Sequence, residues 1–63
     1  MNKKDNKRIE EIFSERINSL VNCAGSLAIE KLYEDDKEFY DREIQEIDTL
    51  INILHNLEKE ILE

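Results

Sequence analysis

The sequence predicts an all-α protein: an antiparallel two-helix hairpin that dimerises into a four-helix bundle. Three observations point there. The chain has no Pro and a single Gly in 63 residues, so little forces a helix to stop. Apolar residues recur at steps of three and four through both halves. Alternation of the kind a half-buried strand shows appears nowhere at useful length.

In the first half, Ile9, Phe13, Ile17, Leu20, Ala24, Leu27, Ala28 and Leu32 share one helical face, widened by Ile12 and Val21. This spacing predicts a helix over about 6–33, with Asp5 as candidate cap beside lysines that oppose the helix dipole. Gly25-Ser26 leaves two continuations open, an unbroken helix or a break with Ser26 capping a new piece. The stripe runs through Leu27 and Ala28 without slipping phase, which favours the unbroken form.

A bend is predicted at about 34–36, where Glu34, Asp35 and Asp36 interrupt both stripes. Asp35 with Glu38 three positions later has the form of a capping box. Asp36, Glu38 and Asp41 would then lie in the first turns, where the dipole favours negative charge. A second helix is expected over about 37–62, with Tyr40, Ile47, Leu54 and Ile61 recurring every seven residues. Leu50 and Leu57 take the matching second core position, flanked by Ile44 and Ile51. Nothing from Tyr33 to Lys37 forbids a domain-swapped alternative in which both helices fuse. Residues 1–63 read as one helical-hairpin domain.

A chain of this size buries too little surface to enclose a reaction pocket. It has no Gly-rich phosphate loop, no nucleophile beside a base and no ligand cluster. The expectation is a protein without catalytic residues, cofactor or metal. His55, the single histidine, has Asn52 and Glu58 three positions to either side, whereas metal-binding bundles use paired Glu-x-x-His motifs. Cys23 stands alone, which excludes an intrachain disulfide, and reads as a small core or boundary residue. Ala24, Gly25 and Ala28 form a patch of small side chains, read as the closest helix crossing.

No run approaches the ~18 apolar residues of a membrane span, and the basic start MNKKDNKR has no apolar stretch behind it. The expected location is the cytoplasm, without membrane association. Ile, Lys and Asn supply 21 of the 63 residues, a bias of AT-rich codons that suggests a bacterial, phage or plasmid source.

The net charge of −7 is unevenly placed. Residues 1–8 carry four bases against Asp5, a local +3, and the other 55 residues sum to −10. Residues 30–48 hold nine acids against Lys31, Lys37 and Arg42, a net −6. Such a body repels phosphate backbones and favours a protein partner with a basic or apolar groove. In a hairpin the basic start lies beside the acidic end, Glu58, Glu60 and Glu63, where opposite charges can pair weakly. Around the bend, Tyr33, Asp35, Asp36, Glu38, Phe39 and Tyr40 form a candidate partner-binding tip of aromatic anchors among acids. Its plainer reading is a solvated turn with a Glu38–Arg42 pair and aromatics closing the core.

The apolar surface is broader than a hairpin needs. Leu50, Ile51, Ile53 and Leu54 fill four of five successive positions. Burial is worth about 25 cal/mol per Å², so a homodimer is expected. Its interface would use Phe13, Ile17, Leu20, Leu27, Ile47, Leu50, Ile51, Leu54 and Leu57.

In length and two-helix topology the chain resembles Rop, the plasmid-encoded RNA-binding dimer, without a shared motif. That resemblance implies an RNA-binding alternative, served here by the basic arm Lys3, Lys4, Lys7 and Arg8. The inverse alternative is an acidic surface imitating nucleic acid to block a DNA- or RNA-binding protein. The leading expectation is a small regulatory or adaptor protein, such as a phage or plasmid inhibitor. It would act through an apolar helix face or its acidic tip.

Overall fold

A computed structural model describes residues 3–62. Helix α1, Lys3–Lys31, and helix α2, Lys37–Leu62, are joined by residues 32–36 and pack lengthwise as a helical hairpin. The Cα positions span 50 × 15 × 7 Å, so the hairpin is a flat rod one helix thick.

Helix α1 continues unbroken through Gly25-Ser26. It begins at Lys3, so Asp5 lies inside the first turn, not ahead of it as a cap; there its charge complements the helix dipole. The helix ends at Lys31, two residues short of the predicted limit, and without a Gly or a left-handed residue. Instead the chain tightens. The Leu32 N–H donates to the Ile29 carbonyl at 3.1 Å and the Tyr33 N–H to that of Glu30 at 3.0 Å, the three-residue step of a 3₁₀ turn. The Lys37 ammonium donates to the Lys31 carbonyl at 2.8 Å, an oxygen that the helix end leaves unpaired, and to the Glu34 carbonyl of the turn at 3.4 Å.

Helix α2 is capped by Asp36. Its carboxylate accepts the Phe39 N–H at 3.1 Å, the reach of a cap side chain to the third helical residue. The expected Asp35–Glu38 box does not form, because Asp35 lies one residue too early. Its carbonyl accepts the Lys37 N–H at 3.0 Å and closes the turn before the helix.

The seam is lined from α1 by Ile9, Phe13, Ile17, Leu20, Ala24 and Leu27, all half-buried. From α2 it takes Tyr40, Ile44, Ile47, Ile51, Leu54 and Leu62. Among the described residues only Ile47, 8% exposed, is buried. Ile44 and Ile51, expected to flank the core, line it. Leu50, Leu57 and Ile61, expected within it, lie outside and exposed. The reason is that α2 carries two overlapping stripes at the same three–four spacing, and α1 can cover only one. Ala28, Leu32 and Cys23 likewise fall outside the seam. A Cβ on Gly25 would meet nothing within 4 Å, so the small-residue patch is not a close crossing onto α2.

Candidate interaction surfaces

Two regions carry exposed apolar side chains, and both follow from the seam. At about 100° per residue, the positions beside a helix seam fall on one flat side of the hairpin or the other. Leu50, Ile53, Leu57 and Ile61 of α2, with Ile12 of α1, lie on one side toward the open end. Val21, Ala28 and Leu32 of α1 lie on the opposite side toward the bend, with Ile29 at the outer edge.

The bend holds the most exposed large apolar side chains. Ile29 is 61% exposed, Leu32 74% and Tyr33 82%. Ile29 and Leu32 sit outside the candidate site expected from sequence. The signal was available, since Ile29 falls out of phase with Leu20, Ala24 and Leu27. Tyr33 stands outward at the turn. Phe39 and Tyr40 meet edge to face, with centroids 5.3 Å apart at 86°. Tyr40 is the inner member of that pair and closes the seam, while Phe39 stays exposed beside it. Thus the aromatics divide between the two readings: Tyr40 plugs the core end and Tyr33 remains free to touch a partner.

The acids around the bend are partly committed to local structure. Asp36 caps α2, and Lys31 forms an ion pair with Asp41 across the hairpin. At the bend that pair is within reach, and Glu38–Arg42 is not. Asp35 and Glu38 are exposed. The negative field is felt by Tyr40, whose phenol is raised above its ordinary 10.0 by partial burial first and then by Glu34, Glu30 and Asp36.

Elsewhere the candidates stay apart. Lys3, Lys4, Lys7 and Arg8 are exposed on the first turns of α1, and Lys4, Lys7 and Arg8 border a shallow dent with Asp5 and Glu11. Among the described residues no ion pair joins these bases to Glu58 or Glu60; Glu63 lies outside those residues. Of the expected dimer interface, Phe13, Ile17, Leu20, Leu27, Ile47, Ile51 and Leu54 belong to the α1–α2 seam, whereas Leu50 and Leu57 face outward. His55 and Cys23 are exposed. Among the described residues no three His, Cys, Asp or Glu side chains gather as metal ligands, and no helix is long and apolar enough to cross a membrane.

No protein-family model matches the chain, and no curated protein or solved structure is significantly similar to it. The likeness to Rop therefore rests on length and helix topology alone.

Proposed function

We propose that this hairpin is a non-enzymatic interaction protein, dimeric as a four-helix bundle, which presents its acidic bend to a basic surface on another protein. One observation carries the reading: the most exposed large apolar side chains, Ile29, Leu32 and Tyr33, sit at the head of the segment 30–48 that holds a net −6. An apolar anchor set in net negative charge suits a partner groove of opposite sign. The acids steer the encounter, and burial of the anchor holds the complex. A cytoplasmic regulator or inhibitor of bacterial or phage origin fits that chemistry.

The test is affinity capture with the tagged full chain after nuclease treatment, repeated with Leu32→Ala/Tyr33→Ala and with Asp35→Lys/Glu38→Lys. Asp36 is left intact because it caps α2. The expected result is one protein retained by the parent and lost by both variants, with helicity unchanged by circular dichroism. Retention by both variants would remove the bend as the docking site. Recovery of nucleic acid alone, lost when residues 1–8 are deleted, would replace the proposal with the RNA-binding reading.

A further inference from the structure

Helix α2 carries a second stripe that the hairpin leaves uncovered. Glu43, Glu46, Leu50, Ile53, Leu57 and Ile61 succeed one another at steps of three and four beside the seam. The part from Leu50 to Ile61 spans about 17 Å at a rise of 1.5 Å per residue, and its four apolar side chains are 42–48% exposed. The surface as a whole points the same way. The hairpin exposes 5303 Å². A folded monomer of its 7.5 kDa should expose about 4,250 Å². The excess, about 1,000 Å², is close to the ~800 Å² that one partner contributes to a standard interface.

Charge selects the arrangement. Residues 30–48 hold the net −6, whereas residues 3–17 and 51–62 balance at six bases against six acids. Parallel copies would stack two acidic halves at one end. Antiparallel copies separate them. Lys31 lies beside Asp41, so positions of α1 and α2 whose numbers sum to about 70 share a height along the rod. With Ile53 of one copy facing Leu57 of the other, Glu43 and Glu46 come level with Lys3–Arg8 of the second copy. The uncovered stripe thus offers apolar side chains to apolar side chains; of those bases Arg8, one turn before Ile12, lies on the facing side, whereas Lys3 and Lys7 are in phase with Val21 and Ala28 and face away.

We propose that a second copy of this chain covers the Leu50–Ile61 stripe, antiparallel and offset toward the open ends. The open halves form a short four-helix bundle and the two acidic bends project from opposite ends. The inference rests on the dimer proposed above and adds its surface, register and shape. It makes the assembly bivalent, with one docking bend at each tip.

The test uses the full chain with Cys23→Ser and Glu34→Cys, a spin label at position 34, sedimentation equilibrium for mass and double electron–electron resonance for distance. The offset arrangement puts the labels about 60 Å apart; complete antiparallel overlap gives about 45 Å, both from 1.5 Å per residue. Parallel copies give about 20 Å or less, from interaxial spacings of 8–10 Å. A dimer with the longest distance supports the proposal. A dimer with either shorter distance overturns the offset arrangement and leaves dimerisation standing. A monomeric mass overturns both.

Discussion

Gly25→Ala is the most informative single change in this chain. Gly25 lies within α1, its φ is not positive, and a Cβ added there would meet nothing within 4 Å. Neither strain nor collision therefore opposes the methyl group. What remains is helix propensity: Gly in a helix interior costs about 0.8–1.0 kcal/mol relative to Ala, because the unfolded chain loses more freedom on ordering it. The variant should gain about 1 kcal/mol per chain, which for a domain of this size raises Tm by about 4–8 °C. The assay is thermal unfolding followed by helical circular dichroism at fixed chain concentration, since the Tm of a dimer depends on it. Ala28→Gly, at an exposed position on the same side of α1, should lower Tm by a similar amount. An unchanged or lowered Tm in Gly25→Ala would refute the reasoning. It would mean that another chain approaches Gly25 closely in solution, as the small-residue patch first suggested, and that the second copy packs on the side opposite to Leu50–Ile61.

Two further outcomes follow from the bend. Asp36→Ala should cost about 1 kcal/mol, the worth of an N-cap, while Asp35→Ala stays within about 0.5 kcal/mol; urea unfolding of the two variants side by side separates them. In a Tyr33→Phe background the near-ultraviolet titration of Tyr40 should have its midpoint above 10.0, and Glu34→Gln should lower it. Because the folded state holds that proton more tightly, the associated stability is complete below the unfolded phenol value and is lost as pH rises through the raised one.

The identity of the second helical face shows where local information ends. Heptad spacing put Leu50 and Leu57 in the core and Ile44 and Ile51 at its flank, and the packing of α1 reversed the two pairs. The capping residue shows the same limit on a smaller scale. Asp35 and Asp36 are chemically equivalent candidates, and the turn made by the Asp35 carbonyl and the Lys37 N–H hands the role to Asp36. Cys23 misses the seam because it stands one position, about 100°, from Ala24. The acidic, aromatic bend was legible as a candidate site, but the division of labour within it was not. Which of Tyr33 and Tyr40 faces outward depends on where α1 unwinds, and that is decided by two 3₁₀ hydrogen bonds and the Lys37 ammonium.

The absence of Pro, the single Gly and the three–four periodicity determine by themselves that this chain is two long helices with a short acidic connection. Those are local properties, set by backbone sterics and by which side chains lie one turn apart. The tertiary structure decided which of two equally apolar stripes on α2 is spent on α1 and which is left in water. That choice turns on the relative rotation of two packed helices, a quantity that no single helix contains.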